Sequence, residues 1–267
     1  MGILNTTPDS FSDGSQLGQA DAGHFRIDLD KVLRRAETMH AEGAAILDVG
    51  GESTRPGAEP VSTDEELARV IPVIEVLRKN LDVCVSVDSS SPTVMTEAIK
   101  AGADIVNDVR ALTKEGALQV LADSQAAICL MHMQGQPQTM QKDFQYGDVL
   151  AEVRDFLSAR VAACRAAGIA QDRLIIDPGF GFGKSPEHNF RLLKLLQDFT
   201  TLGMPILVGI SRKSMIGAAT GRPVDERVTG SVAAATLALA NGASIIRSHD
   251  VAATMDAIRV HCAYKNA

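Results

Sequence analysis

The sequence predicts a single (β/α)8 barrel, and three observations carry that prediction. Eight short apolar, β-branched runs recur along the chain, and each is followed by a polar or glycine-rich turn and then a longer segment of helical periodicity. No low-complexity linker or shift in composition divides the 267 residues, so one domain over 1–267 is the economical reading. An open doubly wound sheet would alternate in the same way, but it would be expected to carry a glycine fingerprint for a dinucleotide, which is absent here.

In chain order the strand runs are "GIL", "AILDV", "CVSVD", "DIVND", "AICLMHM", "RLIID", "PILVGIS" and "SIIRSH". The helices between them announce their starts. Ser62 with Glu65 has the spacing of a capping box ahead of Leu67, Val70, Ile71, Ile74 and Leu77, which share one helical face. Ser91-Pro92 and Ser185-Pro186 each place a capping residue before a proline at the first helical position, and Asp250 is placed to cap the last helix. Two connections are unusually long, Thr6 to about Ile27 and Gly50 to about Val61, after the first and second strands. A barrel puts its chemistry on such loops.

Composition excludes several function classes. A formal charge of -7 argues against a general nucleic-acid or anionic-membrane surface. The longest apolar runs, such as 232–240, fall well short of the roughly 20 residues a membrane span needs. Cysteines at 84, 129, 164 and 262 have neither metal-site spacing nor a disulfide framework, so reduced thiols in the cytoplasm are expected. Met1 to Thr6 fits an N-myristoylation pattern, but Gly2 to Leu4 reads better as a buried strand. A chain that opens inside a strand is expected to lack a short segment before Met1.

The stretch "DPGFGFGKS", Asp177 to Ser185, invites a phosphate-loop reading. It fails by one residue, because Pro178 stands where the first glycine of that pattern must be. The even spacing of Gly179, Gly181 and Gly183 also fails the dinucleotide pattern. The stretch is therefore a glycine loop between a strand and a helix that starts at Ser185.

At the carboxyl ends of the strands stand Asn5, Asp48, Asp88, Asn107, His132, Asp177, Ser211 and Arg247 with His249. Any one of them could be a satisfied structural group; all of them on one rim suggest a site. Carboxylates and side-chain amides around a narrow mouth suit a flat heterocycle rich in N–H donors, with Asp177 and Asn107 foremost. Arg55, Lys213, Arg247 and His249 form the opposite pole and suit a phosphate or pyrophosphate. The segment Ser211-Arg212-Lys213-Ser214 reads as a helix start able to receive a carboxylate. There is no dedicated metal-cage motif, but a pyrophosphate would bring Mg²⁺ with it and need only one or two protein oxygens, for which Asn5 and Asp9 are placed.

Taken together, "GILNTTPDSFSDG", "DVGGESTRPGA", "VSVDSSSP", "NDVRAL", "CLMHMQGQPQTMQ", "LIIDPGFGFGK", "GISRKSMIG" and "IIRSHDV" resemble the dihydropteroate synthase family, in the family's order and over nearly the whole chain. The resemblance implies a transferase that condenses 6-hydroxymethyl-7,8-dihydropterin pyrophosphate with p-aminobenzoate, giving 7,8-dihydropteroate and pyrophosphate. It implies pterin contacts at Asp88, Asn107, Asp177 and Lys213, with Met131 and Phe182 packing near the ring. Asn5, Thr54, Arg247 and His249 would hold pyrophosphate, with Asn5 also on Mg²⁺. Phe11, Thr54, Arg55, Pro56 and Ser214 would form the p-aminobenzoate pocket, and Asn5, Arg55, Lys213, Arg247 and His249 would carry the catalytic work. A homodimer through the late helices is implied as well. Thr6, Ser89 and Ser91 depart from the family's usual residues without removing a contact.

Two rival readings account for fewer of these residues. A sugar-phosphate isomerase barrel would use Lys213 and Arg247 but leaves the Asp-rich mouth unexplained. A silent pterin binder or a pterin-dependent methyltransferase has no pyrophosphate to hold, and so no reason to keep "STRPG", Arg247 and His249 together.

Overall fold

Each apolar run becomes a strand, and each amphipathic segment crosses back over it as a helix. The computed structural model describes residues 1–7, 17–21, 24–53, 61–135 and 145–267. β1 (Gly2–Asn5) is followed by a two-stranded antiparallel hairpin, β2 (Gly18–Asp21) and β3 (His24–Ile27), then α1 (Leu29–Ala41), β4 (Ile46–Gly50), α2 (Thr63–Asn80) and β5 (Cys84–Asp88). Next come α3 (Pro92–Lys100), β6 (Ile105–Asp108), α4 (Ala117–Ala122), β7 (Ala127–Met131), α5 (Val149–Ala166) and β8 (Leu174–Asp177). The chain ends with α6 (Pro186–Lys194), β9 (Leu207–Val208), α7 (Ser214–Thr220), α8 (Val228–Ala240), β10 (Ile245–Ile246) and α9 (Val251–Lys265).

Six strands form one parallel sheet in the order β1-β4-β5-β6-β7-β8, and β9 pairs with β10 in parallel. Two single bridges close the ring, Ile176 to Ile206 on one side and Gly2 to Ser248 on the other. The backbone bonds there are Ile176 N–H to the Pro205 carbonyl at 3.0 Å and Ser248 N–H to the Met1 carbonyl at 2.9 Å. All eight expected strands are present. The hairpin of β2 and β3 lies within the long connection from Thr6 to Ile27, where the sequence predicts no strand.

Because side chains alternate along a strand, each strand packs one face outward against helices and one inward. Leu47, Val49, Val85, Val87, Ile128, Leu130, Leu174 and Ile176 join the helices in the main core. A separate small cluster of Cys129, Ile175 and Leu207, with Met1 and Ile245 against it, fills the inside of the barrel. Two residues further along those strands the inward positions read Met131, Asp177, Gly209 and Arg247. The barrel is thus plugged with apolar side chains below and lined with polar ones at its carboxyl end.

Helix starts follow the sequence signals with informative differences. Ser185 caps α6 with a full capping box, its hydroxyl accepting from His188 N–H at 3.1 Å while the Ser185 N–H donates to His188 Nδ1 at 3.4 Å. Ser62 accepts from Glu65 N–H at 3.2 Å, but the Glu65 carboxylate turns to Arg69 four residues on, so the box is only half made. Ser91 occupies the cap position of α3 without a side-chain bond to the helix. Asp250 does the same at α9, because a stronger partner, Arg212, takes its carboxylate through two bonds of 2.9 and 2.5 Å. Among the described residues no helix is long and apolar enough to cross a membrane.

Candidate active site

Strand register puts the polar ends side by side. Asn5 pairs with Gly50, Gly50 with Asp88, and Asp88 with Asn107, so one level of the barrel mouth carries an amide, a carboxylate and a second amide. Gly50 keeps the space between them open: a Cβ there would lie 3.7 Å from Asn5 Oδ1, 3.6 Å from Asp88 Cβ and 3.9 Å from Asp88 Oδ2. On the far side Met131 pairs with Asp177.

Arg247 is the cation at the centre. Its Nε donates to Asp48 Oδ2 at 2.6 Å and its Nη2 to Asp88 Oδ2 at 3.0 Å, while Asn107 Nδ2 donates to the same Asp48 oxygen at 3.1 Å. Burial pushes the Asp88 carboxyl up to about 7 against the pull of Arg247. A ligand that brings N–H donors to it would restore the ionised form. With its amide nitrogen spent on Asp48, Asn107 offers its oxygen as an acceptor.

Asp48 corrects the expected rim. It is not at the end of β4 but two residues before it, fully buried on the floor of the mouth, and there it joins Arg247 to Asn107. The family resemblance does not place it among the ligand residues. Its other oxygen, Oδ1, is buried without a partner among the described residues.

Asp177 and Lys213 bring a second set of opposite charges to the mouth, near enough to influence each other without a direct ion pair. Asp177 is 6% exposed, its Oδ1 accepts from Gly179 N–H at 2.7 Å, and burial raises its pKa against the attraction of Lys213. Lys213 is brought down to about 8 by burial, with Asp177 opposing. Its Nζ donates to the Phe180 carbonyl and lies 4.4 Å from the centre of the Phe182 ring. Gly209 allows Lys213 and Arg247 to approach, since a Cβ there would meet Lys213 Nζ at 3.9 Å and Arg247 Cβ at 3.9 Å.

His249 is held by Ser211, whose Oγ accepts from His249 N–H at 3.2 Å and lies 3.2 Å from its Nδ1. Arg35 from α1 donates to the His249 carbonyl at 3.2 Å. Ser211 on the expected rim is therefore a support for His249. Ser214 is exposed at the first turn of α7 with Lys213 at the cap position, a short helix of 7 residues.

His132 is the clearest departure from the rim reading. Met131 faces inward, so its neighbour His132 faces out, where it is 6% exposed and stacks edge-on to Phe156 at 5.0 Å. Burial and the neighbouring Lys184 bring its pKa down to about 3, so it stays neutral. Lys184, the residue that makes the loop look like a phosphate site, is 5% exposed and turned into the protein.

The mouth thus joins Asn5, Asp88, Asn107, Met131, Asp177, Phe182, Lys213 and Arg247 through the register, bonds and contacts above, and His249 stands two residues beyond Arg247 against Ser211. Phe11, Thr54, Arg55, Pro56 and Asp9 lie outside the described residues. Among the described residues there is no group of three or more His, Cys, Asp or Glu that could hold a metal by itself.

The glycine loop is a close fit that yields a prediction. Gly179 has φ +71°, and a Cβ on it would stand 1.8 Å from the His132 carbonyl oxygen. Left-handed backbone disfavours alanine by about 1–2 kcal/mol, and the clash with backbone adds to this. Gly179→Ala is expected to lower the thermal midpoint by at least roughly 2–8 °C, on a scale of about 2–4 °C per kcal/mol for a chain of this size. An unchanged midpoint in a thermal melt would show that the loop relaxes freely.

The family model described as pterin binding enzyme matches residues 1–249. A dihydropteroate synthase of Haemophilus influenzae is 51% identical over 267 residues, covering 100% of this chain and 94% of that protein. The structure of Yersinia pestis dihydropteroate synthase with a sulfonamide drug complex aligns with TM-score 0.93 and 46% identity over 99% of this chain and 93% of that one. That of Burkholderia cenocepacia dihydropteroate synthase complexed with 7,8-dihydropteroate aligns with TM-score 0.86 and 49% identity, over 99% and 90%.

Proposed function

The chain belongs to the pterin-binding enzymes, among the dihydropteroate synthases, and from that premise we propose how its barrel mouth carries out the family's reaction. The reaction is condensation of 6-hydroxymethyl-7,8-dihydropterin pyrophosphate with p-aminobenzoate to 7,8-dihydropteroate and pyrophosphate. The observation that supports the residue assignment is that acceptors and a cation share one mouth: Asp177, Asn107 and Asp88 offer acceptors, and Arg247, held by Asp48 and Asp88, offers the charge for an anion, with His249 two residues further on.

On this reading Asp177, Asp88 and the Asn107 oxygen accept the N–H donors of the pterin, with Met131 and Phe182 packed near the ring and Lys213 at its edge. Arg247 and His249 face the pyrophosphate. Ser214 receives the carboxylate of p-aminobenzoate, and Phe11, Thr54, Arg55 and Pro56 complete that pocket, with Thr54 also on the pyrophosphate. The bond between the pterin methylene carbon and the pyrophosphate oxygen breaks with its electron pair leaving on oxygen. Arg247 and His249 stabilise the charge that develops there. The amine lone pair forms the new C–N bond, and its proton leaves to water or pyrophosphate. Asp88 and Asp177 orient and stabilise; neither needs to abstract a proton, because an aniline nitrogen meeting an electron-poor methylene is already a competent nucleophile.

Mg²⁺ fits this site as a companion of the pyrophosphate. Asn5 Oδ1 and Asp88 Oδ2 border the space above Gly50, and Asn5 is the residue to hold the ion. When bound, the ion supplies charge to the leaving oxygens. A homodimer through α8 and α9 is supported by Leu237, Val260 and Tyr264, which are 54%, 64% and 79% exposed there. A cytoplasmic location is supported by four free cysteines.

The test is the condensation itself. Purified protein given both substrates and Mg²⁺ is expected to form dihydropteroate, followed by chromatography, and chelation with EDTA to cut the rate at least tenfold. Product formation unchanged by EDTA would remove the metal from the account; no product in any condition would remove the function.

A further inference from the structure

We infer that Lys184 is a positioning residue for the pterin wall, fixing the Gly179–Gly183 loop so that Lys213 is released to meet the heterocycle. The inference rests on the synthase reading above and deepens it.

Lys184 is buried, and among the described residues no carboxylate lies within ion-pair distance of its Nζ. It is surrounded by neutral acceptors: His132 Nδ1 at 3.0 Å, the Gly179 carbonyl at 2.9 Å, the Phe182 carbonyl at 3.0 Å and the His132 carbonyl at 3.4 Å. An ammonium has three donors, so this set takes up its full capacity. Burying a charge without a counter-ion is costly, and burial indeed brings Lys184 down to about 7, with Asp177 opposing and Lys213 adding to the fall. A loop that merely needed filling would be served by an apolar side chain.

What the ammonium does is seen in where the loop's carbonyls go. Gly179, Gly181 and Gly183 are all left-handed, with φ of +71°, +80° and +63°, and the turns they make point successive carbonyls to different sides. Those of Gly179 and Phe182 go to Lys184, that of Gly183 accepts from the Tyr146 hydroxyl at 2.9 Å, and that of Phe180 accepts from Lys213. Asn189 secures the remaining side, its Oδ1 accepting from Gly181 N–H at 2.7 Å and its Nδ2 donating to the Ser185 carbonyl at 2.8 Å.

Two lysines therefore hold one loop, with different duties. Lys213 also faces Asp177 and the Phe182 ring, so a heterocycle entering between them must share or take its donors. Lys184 makes its contacts on the other side, with His132 behind β7, and has nothing to surrender. It keeps Phe182, the Asp177 loop and the strand end at Met131 in register while Lys213 changes partner. Holding groups in place before the ligand arrives lowers the ordering cost of binding.

The experiment compares Lys184→Met with wild type in steady-state kinetics on both substrates. The expected result is a rise of about tenfold or more in KM for the pterin pyrophosphate, with the KM for p-aminobenzoate within twofold of wild type. Two variants at His132 follow the same contact without emptying the lysine site. His132→Leu removes the Nδ1 acceptor and is expected to raise the pterin KM in the same selective way but less. His132→Asn keeps an acceptor near that position and is expected to stay close to wild type. Equal rises in both KM values, or no rise, would overturn the inference. Should Lys184→Met fail to fold, the His132 pair decides: a selective rise in His132→Leu that His132→Asn restores supports it, and no difference between the two overturns it. A wild-type protein that makes no dihydropteroate would instead defeat the functional reading, and the inference with it.

Discussion

Asp177→Asn is expected to weaken binding of the pterin pyrophosphate by roughly 10- to 100-fold, with the affinity for inorganic pyrophosphate unchanged. The carboxylate can accept on both oxygens, one of which already takes the Gly179 N–H at 2.7 Å. An asparagine can repeat one of those bonds, but it then turns an N–H₂ toward a ligand edge that also donates. Losing a hydrogen bond to a charged group and leaving a buried donor unmatched costs about 1.5–3 kcal/mol, which is the stated range at about 1.4 kcal/mol per factor of ten. The fold should not suffer. Burial raises the Asp177 pKa, so the native state favours the protonated form; that advantage is present at acid pH and is lost as the pH rises through the folded pKa. At pH 8 a neutral asparagine avoids the cost of a buried carboxylate, and the thermal midpoint is expected at or above that of wild type. Calorimetric titration with each ligand and one melt at pH 8 check both halves.

Arg247→Met is expected to damage stability and catalysis together. Arg247 faces two carboxylates, Asp48 with a fully buried side chain and Asp88 with 16% exposure, and is itself 20% exposed. Removing one member of a buried charge group leaves the others uncompensated, at about 3–5 kcal/mol where burial is complete. The partial exposure of Arg247 and Asp88 places the expected loss toward the lower end, a fall of roughly 10 °C in the thermal midpoint. Loss of the charge facing the departing pyrophosphate should lower kcat by about 10²- to 10³-fold, as for other groups aimed at a developing oxyanion. Adding Asp88→Asn tests the stability half, since Asp88 is itself a pterin acceptor and its loss lowers activity on its own account. The double variant should regain part of the midpoint, because one uncompensated carboxylate is gone, and none of the rate. A double variant that recovered activity would mean that Arg247 serves the fold alone.

Much of this was legible in the sequence because strands and helices carry their own signals. The β-branched runs, the Ser185-Pro186 start and the eightfold alternation all depend on local spacing, and the structure has each of them. Family motifs likewise marked Asp88, Asn107, Asp177, Lys213 and Arg247, which meet in the mouth. The failures are of two physical kinds. Asp48 and His132 sit near strand ends and so suggest rim positions, whereas the side a residue faces depends on its parity along the strand and its depth on how far it lies from the strand end. Met131 inward means His132 outward, and Gly50 at the end of β4 leaves Asp48 inward but one layer down; counting residues by twos from Met131 and from Gly50 shows both. Lys184 had no such signal. It lies in an aperiodic loop, and its role depends on carbonyl directions set by three left-handed glycines. The hairpin of β2 and β3 is illegible for a similar reason, since its short strands, "GQAD" and "HFRI", lack the apolar run that marks the barrel strands.

The most direct test of the central claim is pyrophosphate release by the purified protein in the presence of the pterin pyrophosphate and Mg²⁺, with and without p-aminobenzoate. The account predicts one pyrophosphate released per dihydropteroate formed when the amine is present, and release slower by at least tenfold when it is absent. Pterin binding without amine-dependent release of pyrophosphate would contradict it and make the barrel a pterin binder.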